Sequence, residues 1–189
     1  MHEEFRTEEF AASFVGVWKR VVTDPRGFFQ DMPVRGGIQA PLLFLVACLV
    51  AAALGYLVLG PRGFGLSLVF WGTLHSFLYA GVFLLIARQV FAGAADFEAT
   101  YRVIAYATAP MVFMFLPIVG GLTFLYAMFL VIVGLERVNG FDTVKSVLTV
   151  ILASLVLAVL GWALGFHGGG YPYAHPHGRM LHGFLGCHR

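Results

Sequence analysis

His75 is the only histidine, and the only ionisable side chain, deep inside an apolar run. An imidazole in that position could relay a proton or bind a ligand, because ionisable groups within a membrane span are functional by default. A proton pathway needs a second acid or base, and the apolar runs hold no Asp or Glu. A neutral ring bonded to a neighbouring helix, through Tyr106 or Thr108, is the simpler expectation. A second group lies in the tail HGGGYPYAHPHGRMLHGFLGCHR. His175, His177, Cys187 and His188 are suitable ligands for zinc, copper or nickel. Their spacing matches no closed metal site, and the glycines and prolines predict a flexible tail over 167–189. No cofactor is expected. Nucleophile elbow, phosphate loop and paired-carboxylate motifs are all missing, which points away from an enzyme.

The elements that would position these residues are membrane helices. The chain is 59% hydrophobic and 12% charged, whereas soluble domains are about 25% charged. It holds 19 Phe, and its mean hydropathy is +0.84. A net charge of +2 without a basic aromatic cluster excludes nucleic acid as a partner. The two cysteines, Cys48 and Cys187, form no disulfide framework.

Residues 1–39 precede the first apolar run. Phe10, Phe14, Val17, Trp18 and Val21 recur at helical spacing. Asp24 reads as an N-cap with Pro25 at the first position of a second short helix. This pair either lies in the cytoplasmic interface as amphipathic helices or packs on the membrane bundle. The membrane domain, 40–166, then begins. A span needs about 20 apolar residues. The first is expected over Pro41–Leu59 and the second over Leu66–Ile86. The third follows Asp96, another N-cap, and the fifth covers Val147–Phe166. Ala47, Ala51 and Gly55 make a small-residue ridge for close packing, as do Gly72, Ser76 and Ala80, and Ser154, Ala158, Gly161 and Gly165.

The organising stretch is Tyr101–Lys145. Its 33 residues from Val103 to Leu135 carry no charge, too many for one upright helix. Pro117, Gly120 and Gly121 lie near its middle and predict a turn. Pro110 adds a kink. The expectation is a helical hairpin, with the third span ending near Leu116 and the fourth running over Ile118–Leu135. A charged loop, Glu136–Lys145, would follow. Glu136, Arg137 and Lys145 there could form a docking surface for a cytoplasmic protein.

The order Tyr106-Ala-Thr-Ala-Pro110, Pro117 with Gly120–Gly121, Gly134-Leu135-Glu136, then Asn139-Gly140 and Lys145 resembles the membrane domain of the Yip family, named for Ypt/Rab-GTPase-interacting proteins. Thr23-Asp24-Pro25 with Phe28-Phe29, Met32, Gly36-Gly37 and Pro41-Leu42 fits the same pattern. The likeness runs from about Trp18 to about Leu160 and is nearest to compact prokaryotic members. It implies an all-α, five-span protein with a cytoplasmic N-terminus and no known reaction. Eukaryotic members are associated with vesicle trafficking.

Charge agrees with that orientation. Nine of the twelve Lys and Arg fall on the cytoplasmic side with five spans. One long tilted helix over Val103–Leu135 gives the same division, so the Pro117–Gly121 break and the resemblance choose five. The expected role is a non-enzymatic membrane scaffold or adaptor, in the inner or plasma membrane if the source is bacterial. Its partners would be the lipid bilayer and either a cytoplasmic protein or further copies of the chain. A small transporter or channel component, with His75 and a broken helix lining a polar cavity between spans two and three, is one rival. A metal-handling protein using the His-rich tail is another.

Overall fold

A computed structural model describes residues 10–59 and 64–163. Among these residues every regular element is helical. The order is α1 (Phe10–Thr23), α2 (Pro25–Asp31), α3 (Gln39–Leu59), α4 (Phe64–Phe91), α5 (Phe97–Tyr106), a 3₁₀ turn (Ala109–Phe113), α6 (Pro117–Asn139) and α7 (Thr143–Ala163). The chain divides after Leu157 into two units, and all packing described below lies within the first. The His-rich tail, including His175, His177, Cys187 and His188, falls outside the described residues.

Four helices are long and apolar enough to cross a membrane: α3, α4, α6 and α7. They match the expected first, second, fourth and fifth spans within a few residues, apart from longer ends on α4. The residues of the expected third span form the ten-residue α5 and the 3₁₀ turn instead of one continuous helix. Pro110 supplies no amide for an α-helical bond, and the chain tightens there into three-residue turns. Although short, α5 is the most enclosed element. Every residue from Ala99 to Tyr106 is buried, and α5 packs against α3, α4 and α6.

The hairpin turn is one step earlier than the glycines predict. Leu116 is the extended residue before α6, and Pro117 occupies the first helical turn, where its missing amide costs nothing. Gly120 and Gly121 lie inside α6. Gly120 serves a close approach: a Cβ there would stand 2.7 Å from the Met114 carbonyl oxygen.

The expected charged loop Glu136–Lys145 is also shorter than its sequence suggests. Glu136 and Arg137 belong to the last turn of α6, and Lys145 to the first turn of α7. Two caps account for the compression. Gly140 ends α6 in the left-handed region at φ 66°, which glycine adopts without penalty. The Asp142 carboxylate accepts from the Lys145 amide at 3.1 Å and starts α7.

The N-terminal helices pack on the bundle. Asp24 caps α2 as expected, accepting from the Gly27 amide at 3.1 Å. Val17, Val21, Phe28, Phe29 and Met32 join the same buried cluster as Phe44 and Leu130. The Tyr126 hydroxyl of α6 donates to the Val22 carbonyl at 2.7 Å.

Candidate functional site

At one end of the bundle, two segments distant in sequence are tied by a buried charge. Gly36 and Gly37 both have positive φ, 136° and 86°, and turn the chain into α3. The Gly37 amide donates to the Glu98 carboxylate at 2.6 Å. Arg102, one turn further along α5, donates to the Gly37 carbonyl at 2.7 Å. Its Nε lies 3.5 Å from Glu98, and the Arg102 side chain is fully buried. Both polar groups of Gly37 are therefore held by side chains of α5. The Asp96 carboxylate caps α5 at the Ala99 amide, 2.8 Å away, so the helix N-terminus is fixed beside this clamp.

A second tie joins α4, the 92–96 connection and α6. The Ala95 amide donates to Asn139 Oδ1 at 3.2 Å, and the Ala95 carbonyl accepts from Arg88 Nε at 2.9 Å. Asn139 anchors itself to the Leu135 carbonyl. Gly93 passes so close that a Cβ would collide with the Asn139 side chain. Each polar side chain in these two ties bonds backbone, so the arrangement fixes chain paths.

The break after α5 is covered in the same manner. Trp18 Nε1 of α1 donates to the Ala109 carbonyl at 2.8 Å. The Tyr56 hydroxyl, near the far end of α3, donates to the Met114 carbonyl at 3.0 Å. Backbone acceptors exposed by an interrupted helix must be satisfied in an apolar medium, and these two side chains do so. The segment thus runs alongside α3 for most of its length, from Gly37 and Glu98 at one end to Tyr56 and Met114 at the other.

The residues singled out from sequence do not converge on one site. His75 lies in the middle of α4, where Nδ1 is 2.7 Å from the Trp71 carbonyl of the preceding turn. That atom therefore serves its own helix and not the expected Tyr106 or Thr108. Tyr106 is instead a core aromatic between Phe28 and Phe44, with ring centroids 5.0 and 5.1 Å away. Thr108 bonds the Ala105 carbonyl. Pro110 is buried in the 3₁₀ turn, and Pro117 begins α6. Arg137 and Lys145 are exposed, and Glu136 is half-buried. Among the described residues no three His, Cys, Asp or Glu gather as metal ligands.

The clamp has no counterpart among the sequence expectations above, where neither Glu98 nor Arg102 is singled out. The available signal was the spacing of Glu98 and Arg102, which places both on one helical face.

No curated protein and no solved structure matches the chain. The family described as the Yip1 domain matches residues 19–165, from within α1 to beyond the end of α7. That coverage, together with four helices of membrane length, makes the chain a multi-pass integral membrane protein belonging to the Yip family.

Proposed function

We propose that this protein is a non-enzymatic membrane scaffold that crosses the bilayer five times, with α5 and the 3₁₀ turn as its third, interrupted crossing. The N-terminus lies in the cytoplasm, as the excess of Lys and Arg on that side favours. In this reading α1 and α2 sit in the cytoplasmic interface against the bundle, and the exposed Arg137 and Lys145 face a cytoplasmic partner. Pro110, Pro117, Gly120 and Gly121 set the path of the broken crossing. One observation carries the scaffold role. Arg88, Glu98, Arg102 and Asn139 each bond backbone, and Glu98 and Arg102 also pair with each other, the arrangement of a rigid support and not of a reaction centre. The α4–α5 seam, where a transporter would open a polar path, is filled by Tyr101 stacked on Phe77 with centroids 4.7 Å apart.

Topology is tested by cysteines introduced one at a time in a Cys187→Ser chain, whose remaining Cys48 is buried. Ile118, at the start of α6, is 84% exposed. An Ile118→Cys chain should react with a membrane-impermeant thiol reagent on intact cells. A Val144→Cys chain should react only once the membrane is opened. Reaction of both from the same side overturns the five-crossing reading. The docking role is tested by cross-linking in native membranes: Arg137→Ala with Lys145→Ala should abolish a cytoplasmic adduct that the wild type forms, with thermal stability unchanged.

A further inference from the structure

α1 and α2 form a hairpin, and the contacts along it measure how deep it goes. Phe14 lies against Phe44, about a turn into α3, with ring centroids 5.4 Å apart. One turn later Trp18 bonds the Ala109 carbonyl, beyond the end of α5. The Val22 carbonyl then accepts from Tyr126 of α6. The return leg passes Tyr106, at the end of α5, whose ring is 5.0 Å from that of Phe28. It next passes Gly134, where a Cβ would stand 3.2 Å from Phe29. It finishes at Gly37, bonded to Glu98 at the bundle end. The tip Thr23-Asp24-Pro25 is thus the innermost point. Tyr126 fixes its depth. That residue stands midway between Pro117 and Leu135, an uncharged stretch of α6. At about 1.5 Å per residue the stretch nearly matches the hydrocarbon layer. Helical side chains lean towards the N-terminus, here away from the end that holds Gly37. Val22 therefore lies level with the centre of the stretch or beyond it.

The outer face of this hairpin is polar and charged. Lys19, Thr23, Asp24, Arg26, Gln30 and Asp31 are all exposed. Charged groups at such a depth face protein or water and not hydrocarbon, and an irregular turn in the chain has the same need. We propose that this face is covered by water and phospholipid headgroups, drawn down beside α6 from the leaflet on the N-terminal side, so that the protein dents the bilayer to about half its depth.

The balance of charge selects the headgroup phosphate. Arg20 pairs with Asp31 across the two helices. Asp24 accepts from the Gly27 amide. With both carboxylates engaged, Lys19 and Arg26 are the groups that face outward, and ammonium and guanidinium both bind phosphate oxygens. A bilayer thins where the apolar surface of a protein is short. The hairpin creates that condition, because it covers the half of α6 nearest Gly37 with polar surface. The far half of α6 keeps a bare apolar side, with Ile118 and Leu122 exposed, so the opposite leaflet stays at its usual level.

This deepens the reading of α1 and α2 as interfacial helices, since the interface follows them inward. It rests on α6 crossing the membrane and not on the scaffold role or the number of crossings, so either can fail alone. The test uses the full Cys187→Ser chain in vesicles of phosphatidylcholine and phosphatidylglycerol, with a fluorophore on Thr23→Cys or on Leu125→Cys. Leu125, beside Tyr126, is 65% exposed and marks the same depth on an apolar face of α6. The Thr23 label should be quenched more by a nitroxide on the lipid headgroup than by one midway along the acyl chain, and the Leu125 label the reverse. Changing Lys19 and Arg26 together to Gln should remove most of the headgroup quenching at Thr23, with the melting temperature unchanged. Stronger quenching of Thr23 by the acyl-chain nitroxide would place the hairpin in hydrocarbon. Quenching by iodide without quenching by headgroups would mean a water-filled vestibule. Shielding from every quencher would mean a covering protein, a second copy included. Each of these three results overturns the proposal, as does headgroup quenching that survives the double change.

Discussion

Arg102 donates to the Gly37 carbonyl at 2.7 Å, joining the middle of α5 to the turn that begins α3 across 65 positions of sequence. The guanidinium is fully buried, with Glu98 as its ionic neighbour. A buried pair adds little net stability over a well-packed apolar substitute, but removing one partner leaves a stranded charge and costs about 3–5 kcal/mol. Glu98→Ala should therefore destabilise the protein by several kcal/mol, and Arg102→Ala by a similar amount. The double change to Met at both positions should cost clearly less than the sum. Thermal unfolding in a mild detergent reads the coupling. Additive losses would mean that the two groups do not act as a unit.

Two helix ends predict changes of opposite sign. α6 ends at Gly140 with φ 66°, while Ala92, just after α4, holds φ 54° without being glycine. The left-handed region costs a residue with a Cβ about 1–2 kcal/mol. Ala92→Gly should relieve that strain, offset in part by the freer unfolded chain, for a gain of about 0.5–1 kcal/mol. Gly140→Ala should lose about 1 kcal/mol by the same reasoning. Melting temperatures of the two variants should move in opposite directions from the wild type.

Trp18 tests how the interrupted crossing is supported. Its indole donates to the buried Ala109 carbonyl at 2.8 Å, and its ring lies 5.9 Å from Phe113. Trp18→Phe keeps most of the ring and removes the donor. Leaving a buried acceptor unsatisfied costs about 1–3 kcal/mol. Trp18→Phe should lower stability by that amount and raise amide exchange at Met111 and Met114, whose amides bond the Thr108 and Met111 carbonyls. Exchange confined to α1 would show that α1 detaches without loosening the turn.

Much of this architecture was legible in sequence because capping and hydropathy act locally. The caps Asp24 and Asp96, the Pro117 start of α6 and the four long apolar helices all follow from residues within a turn of the features they set. The missed features depend on contacts across the chain. Arg102 is interior because α3 and α6 close around α5, and no local pattern says which face of a short helix will be enclosed. Glu136, Arg137 and Lys145 read as a loop from their charge. The cap signals of Gly140 and Asp142 were equally visible and mark the helix ends more closely. His75 stands out in the sequence as a polar residue within an apolar run, but its surroundings are set by the rotation of α4, which spacing alone does not fix.

Gly55 tests the closest approach between α3 and the broken crossing. A Cβ placed there would overlap the Phe115 ring, so the small-residue ridge Ala47, Ala51 and Gly55 receives this ring at its far end. Phe115 is held nearby, because the preceding Met114 carbonyl is bonded to Tyr56, one residue along α3. The ring can move only if that bond is stretched or the turn shifts. Overpacking of this kind costs about 1–3 kcal/mol. Gly55→Ala should therefore destabilise the protein even though Ala is about 1 kcal/mol the better helix former, and Gly55→Leu should do so more strongly. Phe115→Ala removes the ring and makes room, so the Gly55→Ala, Phe115→Ala double variant should be no less stable than Phe115→Ala alone. If Gly55→Ala raises the melting temperature in detergent, helix propensity outweighs contact at this position, and Phe115 is free to swing away from α3.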